Sequence, residues 1–146
     1  TVVMIYSPKL IESLKKDKPF QIDIFKNFSK EIIIYSVVAV ASVCAIIYPL
    51  LHVVEKTELF LSISVFFVMV ITRFIFNISL IYHFKLYVGK KDRVIMTSTL
   101  VAVLFNISLN FILIPLYGLI GGALATLISI FVMMSFKLFY AKKYEH

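Results

Sequence analysis

The sequence contains four apolar stretches, each long enough to cross a lipid bilayer as an α-helix. They cover residues 32–54, 59–84, 94–114 and 119–140. The hydrocarbon core of a bilayer is about 30 Å thick and requires about 20 helical residues. Apart from Arg73 in the second stretch and Lys137 near the end of the fourth, these stretches contain no Lys, Arg, Asp or Glu. Because apolar residues run continuously, without the polar alternation of membrane-barrel strands, the pattern predicts transmembrane helices.

The composition agrees with a membrane protein and argues against two other classes. Apolar residues make up 61% of the chain and charged residues 16%, whereas soluble domains have roughly 45–50% and about 25%. The 14 Phe and 8 Tyr residues argue against intrinsic disorder, which requires low hydrophobicity. We therefore predict an all-α fold, a polytopic membrane bundle with four transmembrane helices.

The basic residues alternate between the segments that flank the four stretches. Six lysines precede the first stretch, residues 85–93 contain three lysines and one arginine, and residues 141–146 contain two lysines. Residues 55–58 contain one lysine and two glutamates, and residues 115–118 contain no charge. Because cytoplasmic loops are enriched in Lys and Arg, we expect both chain ends and the connection around Gly89 to face the cytoplasm. This placement explains the net charge of +7 without a nucleic-acid partner.

Residues 1–31 are predicted to contain two different pieces before the transmembrane part, residues 32–146. Residues 1–8 are apolar but too short to span a membrane. We expect them to be the cytoplasmic end of a preceding helix, with a short interfacial segment as the alternative. In residues 19–30, apolar side chains such as Phe20, Ile24 and Phe28 recur at helical spacing among charged residues. This spacing predicts an amphipathic segment at the membrane surface.

Arg73 is the most informative polar residue because it lies close to the centre of its span. An ionised side chain there is costly unless it faces a cavity or a partner. Asn77 is one turn further along the same helical face, with Thr72 beside Arg73. A guanidinium suits phosphate oxygens, so Arg73 and Asn77 are candidate diphosphate ligands. The alternative is that Arg73 pairs with helix carbonyls, or with a carboxylate outside these spans, which contain none.

Two polar or small-residue patterns predict helix packing in the third and fourth spans. Asn106 and Asn110 are one turn apart, and their amides need interhelical partners or water in lipid. We favour packing for this pair over the second interpretation, contact with a substrate. Small residues recur every four positions in two rows at the start of the fourth span: Gly118, Gly122 and Thr126, and Gly121, Ala125 and Ser129. Such rows allow helices to approach closely.

The sequence contains no pattern typical of catalysis or of metal binding. We find no Gly-rich phosphate loop, nucleophile elbow or paired carboxylates. His52 and His83 lie at opposite ends of their spans without acidic residues at metal-ligand spacing. Cys44 is the single cysteine, which excludes a Cys-rich site. We therefore predict that the protein is not an enzyme and uses no cofactor or metal.

One segment carries a more specific signal than composition. Residues 110–129 read NFILIPLYGLIGGALATLIS. This segment resembles the pattern N-x-x-L-I-P-x-Y-G-x-x-G-A-A-x-A-T near the C-terminal end of oligosaccharide flippases of the polysaccharide-biosynthesis (Wzx-type) family, within the multidrug/oligosaccharidyl-lipid/polysaccharide exporter superfamily. Gly122 stands where that family commonly has Ala. The connection at residues 89–91 is also similar.

The resemblance implies a transporter of about twelve spans, arranged in two halves around a central cavity. This chain would be its last third, partnered by missing N-terminal spans, in the bacterial cytoplasmic membrane with a cytoplasmic C-terminus. The implied cargo is an undecaprenyl-diphosphate-linked oligosaccharide for O-antigen or capsule synthesis, moved by alternating access. Two alternatives stay open: a drug or lipid exporter of the same superfamily, and a small four-helix membrane scaffold subunit.

The predicted orientation is testable by cysteine labelling in a Cys44→Ser background. We expect Thr57→Cys to react with a membrane-impermeant maleimide in intact cells, because residues 55–58 should lie outside. Lys90→Cys should react only after the membrane is permeabilised. Labelling of Lys90→Cys but not of Thr57→Cys in intact cells would reverse the topology.

Overall fold

The computed structural model describes Pro8, Glu12, residues 18–54 and residues 63–143, and this part of the chain contains four helices. They are α1 (Lys18–Val54), α2 (Ile63–Val88), α3 (Asp92–Tyr117) and α4 (Leu119–Lys143). Each contains a segment long and apolar enough to cross a membrane. The prediction of an all-α chain with four such helices is therefore confirmed. The predicted apolar piece at residues 1–8, apart from Pro8, and the connection at residues 55–58 lie outside the described residues.

Helix α1 is longer than the span predicted from hydropathy. Its 37 residues include the predicted surface segment at residues 19–30, which continues into the apolar part without interruption. Pro19 lies in the first turn, where a proline removes no hydrogen bond of the helix. No Gly or Pro follows until Pro49. The helix therefore continues without a break because no residue between Pro19 and Pro49 interrupts its hydrogen bonds.

A turn of one residue joins α3 to α4. The third span was expected to end at Ile114, but α3 continues through Pro115 to Tyr117. Gly118 then adopts φ +60° and ψ −136°, and its N–H donates a 2.8 Å hydrogen bond to the Ile114 carbonyl. Glycine populates positive φ without a steric cost. Gly118 therefore closes a tight hairpin of antiparallel helices.

Helix α4 occupies the centre of the bundle and packs extensively against both α2 and α3. Its buried residues recur every four positions over its whole length. The row contains Gly121, Ala125, Ser129, Met133, Lys137 and Ala141, and Ala123 is buried outside it. The row therefore begins with small residues, includes the buried Lys137 and ends one turn later at Ala141.

Helix α1 packs against α2 through an aromatic cluster near the start of α1 and the end of α2. Phe28, Ile32 and Phe84 are buried together. The rings of Phe28 and Phe84 meet edge to face, with 5.2 Å between centroids and 77° between planes. This geometry is favourable for aromatic pairs. The cluster therefore fastens the first third of α1 to α2.

Helix α3 presents much of its surface outward. The exposed fraction is 79% for Phe111, 69% for Met96 and 68% for Leu116. Soluble proteins avoid contiguous apolar surface of this kind. This surface is suited to lipid chains or to contact with further transmembrane helices.

The backbones of α3 and α4 approach each other closely at Gly121. A Cβ atom at Gly121 would collide with the carbonyl oxygen of Leu113, which is backbone and cannot move aside alone. At Gly122 the nearest atoms to an added Cβ would be 3.7 Å away, in the side chains of Asn110 and Ile114. The two neighbouring glycines are therefore under different steric constraints.

We expect Gly121→Ala to destabilise the folded protein by about 1–3 kcal/mol, because the added methyl group forces the two helices apart. The matched control is Gly122→Ala, whose methyl group makes ordinary contacts and should leave stability unchanged or raise it by up to about 1 kcal/mol, since Ala favours the helix more than Gly. Reversible unfolding in mixed micelles measures both free energies. Equal stability of the two variants would contradict the inferred close approach.

Candidate functional site

Arg73 lies on an exposed face near the middle of α2. Its guanidinium carbon is 5.2 Å from the centroid of the Phe76 ring, one turn along the same helix. This distance is within the range of a cation–π interaction. The ring therefore holds the guanidinium against the helix while the side chain stays exposed on the surface of the described part of the protein.

Asn77 and Thr72, which the sequence groups with Arg73, have different environments. Asn77 is partly buried and follows Arg73 by one turn. Thr72 is buried, and its hydroxyl donates a 2.7 Å hydrogen bond to the carbonyl of Val68 in the same helix. Arg73 and Asn77 thus remain a candidate pair of ligands, whereas the hydroxyl of Thr72 already has an acceptor within α2.

Asn106 and Asn110 form a polar network between α3 and α4. The Asn110 amide nitrogen donates to Asn106 Oδ1 at 2.9 Å, and the Asn106 amide nitrogen lies 3.4 Å from Thr126 Oγ1. The Thr126 hydroxyl donates to the Gly122 carbonyl at 2.9 Å. The network therefore connects side chains of both helices and ends on the backbone of α4.

The four candidate substrate-binding residues consequently fall into two separate pairs. Arg73 and Asn77 lie on α2, whereas Asn106 and Asn110 lie on α3, where Asn106 contacts Thr126 of α4. Among the described residues, no hydrogen bond joins the two pairs. Asn110 also borders an open apolar groove of about 370 Å³ on α3. The structure thus brings together Asn106, Asn110 and Thr126, and leaves Arg73 with Asn77.

The residues expected to pack helices together do not all occupy equivalent positions. Gly121 and Ala125 are buried, and Gly122 is partly buried beside Asn110. Gly118 is exposed in the turn, and an added Cβ would meet no atom within 4 Å. Gly121, Ala125 and Gly122 therefore lie in or beside the helix interface, whereas Gly118 forms the turn between α3 and α4.

Lys137 is a buried charged residue that was not among the candidate site residues predicted from the sequence. It is only 3% exposed, although it lies near the end of α4. It interacts electrostatically with His83 of α2, and Asp92 at the start of α3 acts on the same imidazole with the opposite sign. The sequence does contain a signal for its burial, because Lys137 continues the four-residue spacing of Gly121, Ala125 and Ser129.

Comparison of the chain with protein-family models, curated proteins and solved structures gives no match. Its function must therefore be argued from its own residues and their arrangement.

We expect Asn106→Leu to destabilise the protein by about 1 kcal/mol, because it removes an acceptor from Asn110 and a donor to Thr126. The matched control is Ser108→Ala on the same helix. The Ser108 hydroxyl is exposed and bonds only to the Leu104 carbonyl at 2.9 Å, so its loss should cost less than about 0.5 kcal/mol.

A double-mutant cycle with Asn110→Leu measures the coupling between the two amides from unfolding free energies in micelles. We expect the two substitutions to be less than additive, because each one alone breaks the same hydrogen bond. Strict additivity would show that the Asn106–Asn110 bond contributes nothing to stability.

Proposed function

We propose that this chain is the C-terminal part of an exporter that flips an undecaprenyl-diphosphate-linked oligosaccharide across the bacterial cytoplasmic membrane. The observation that carries the proposal is the exposed guanidinium of Arg73 in the middle of an apolar helix. The resemblance of residues 110–129 to the flippase pattern and the four membrane-spanning-capable helices support it. Both chain ends would face the cytoplasm, in keeping with the distribution of Lys and Arg.

The role of Arg73 would be to bind the diphosphate while the headgroup crosses the membrane. Guanidinium stays charged in proteins and offers several donors in one plane, which fits phosphate oxygens. The cation–π contact with Phe76 limits the positions of the guanidinium and would reduce the entropy lost on binding. The partly buried amide of Asn77 is placed to provide a further donor one turn away.

Such transport needs no catalytic group, because no covalent bond is made or broken. The polar headgroup would cross within a hydrated groove, while the prenyl chain stays among the lipid tails. Alternating access moves parts of a transporter as rigid bodies. The hairpin of α3 and α4, joined by the Asn106–Thr126 contact and by the close approach at Gly121, has the packing expected of such a body.

Polysaccharide export in cells that depend on the complete protein tests the role of Arg73. We expect Arg73→Ala to lower export at least about tenfold, the effect of losing charged hydrogen bonds. Arg73→Lys should retain part of the activity, because it keeps the charge but loses the planar fork. The matched control is Arg93→Ala, at an exposed position in the first turn of α3, which should change export by less than about twofold.

Membrane abundance of each variant must be measured alongside export, so that loss of folding is distinguished from loss of transport. Normal export by Arg73→Ala at normal abundance would contradict the binding role. If Arg73→Ala lowered drug efflux and left polysaccharide export unchanged, the result would favour an exporter of small apolar molecules. Assembly of an envelope-synthesis complex without any transport would favour a scaffold subunit.

A further inference from the structure

The outer face of α4 carries an apolar groove that ends at two lysines. The volume of the groove is about 790 Å³. It is lined by two rows of side chains at four-residue spacing, which form ridges on the surface of a helix. One row contains Phe131, Ser135, Phe139 and Lys143, and the other contains Met134, Leu138 and Lys142. Each row is therefore mainly apolar and ends in an ammonium group.

The groove is open on the surface of the described part of the protein. The exposed fraction is 55% for Phe131 and 64% for Phe139, and both lysines are exposed. The buried row that contains Met133 and Lys137 lies on a different face of α4. The packing of α4 against α2 and α3 therefore leaves the groove uncovered.

The two lysines have no charged partner among the described residues. Helix α4 contains no Asp or Glu, and no described residue forms an ion pair or a hydrogen bond with Lys142 or Lys143. Neighbouring positive charges raise the local concentration of anions. The end of the groove is therefore electrostatically suited to a negatively charged group.

The length of the groove matches one leaflet of a bilayer. From Phe131 to Lys142 the helix rises about 16 Å. The hydrocarbon core is about 30 Å thick, so that one leaflet contributes about 15 Å. The distribution of Lys and Arg predicts that the end of α4 with the two lysines faces the cytoplasm. An acyl chain that lies along the groove from mid-membrane therefore brings its headgroup to the level of the lysines.

We propose that this groove binds an anionic phospholipid, with an acyl chain between the two rows and the phosphate beside Lys142 and Lys143. Basic residues at the cytoplasmic end of a transmembrane helix attract anionic headgroups, and lysine side chains near helix ends extend to the headgroup level. An apolar transmembrane helix would cover the groove but would supply no anion to the lysines. The site is separate from Arg73 and does not depend on the transport proposal.

Photochemical cross-linking in a bilayer tests the proposal. The complete protein is placed in nanodiscs with phosphatidylglycerol that carries a diazirine near the end of one acyl chain, and mass spectrometry identifies the linked residues. We expect links to Phe131 and Met134, at the mid-membrane end of the groove. Phosphatidylcholine with the same modified chain is the control lipid and should link at least about fivefold less, because its headgroup carries no net charge.

Equal linking by the two lipids would overturn the proposal, because it would show ordinary contact with the surrounding bilayer. The absence of links to the groove residues would also overturn it, because another part of the complete protein would then cover the groove.

The deciding variant combines Lys142→Gln with Lys143→Gln. The matched control combines Lys26→Gln with Lys30→Gln, which removes the same charge from exposed positions of α1. We expect the first variant to lower phosphatidylglycerol linking in the groove at least about tenfold, because each basic residue near the membrane surface contributes about fivefold to the affinity. The control should lower it by less than about twofold.

All four substituted lysines are exposed, so both variants should keep the stability of the unaltered protein. Unchanged linking in the Lys142→Gln, Lys143→Gln protein overturns the proposal. An equal decrease in the α1 control also overturns it, because the total charge and not the groove would then attract the lipid.

Discussion

The close approach of α3 and α4 at Gly121 is the constraint on which the arrangement of the bundle depends. Between helices in lipid there is no hydrophobic driving force, so association depends on tight packing and on interhelical hydrogen bonds. The missing side chain at Gly121 allows the α4 backbone to touch the Leu113 carbonyl. This approach brings the short side chain of Thr126 within reach of Asn106. The single-residue turn at Gly118 joins the two helices three residues before this contact.

Helix α4 links two ends of the bundle that differ in chemistry. Near the hairpin its buried row consists of small residues, which hold α3 by backbone contact. Near the other end the same row contains Met133, Lys137 and Ala141, where α2 and the basic connection pack. The same four-residue spacing therefore buries only small side chains near the hairpin, and buries the long side chains of Met133 and Lys137 nearer the other end before the row finishes at Ala141.

The number and type of the helices could be predicted from the sequence, because long uncharged runs have one stable form in a membrane. The neighbours of each helix could not be predicted, because hydropathy reports the environment of a segment and not its partners. Asn106 and Asn110, for example, are expected from the sequence to need interhelical partners, but the sequence does not identify Thr126 of α4 as the partner of Asn106. The burial of Lys137 was missed because a lysine near the end of a span normally extends to the membrane surface. The continuity of α1 follows from the absence of Gly and Pro between residues 20 and 48, whereas hydropathy alone separates the charged start of the helix from its apolar part.

The fastening of α1 at one end has a mechanical consequence. A helix of 37 residues is about 55 Å long, well beyond the roughly 30 Å of the hydrocarbon core. Phe28, Ile32 and Ser36 are buried, whereas Val37, Val38 and Ile46 further along are exposed. The buried contacts of α1 therefore lie in its first half, up to Ser36, and a small tilt there has its largest effect at the far end of the helix. A tilt of about 5° at Ser36 would move the backbone of Val54, about 27 Å away, by roughly 2 Å.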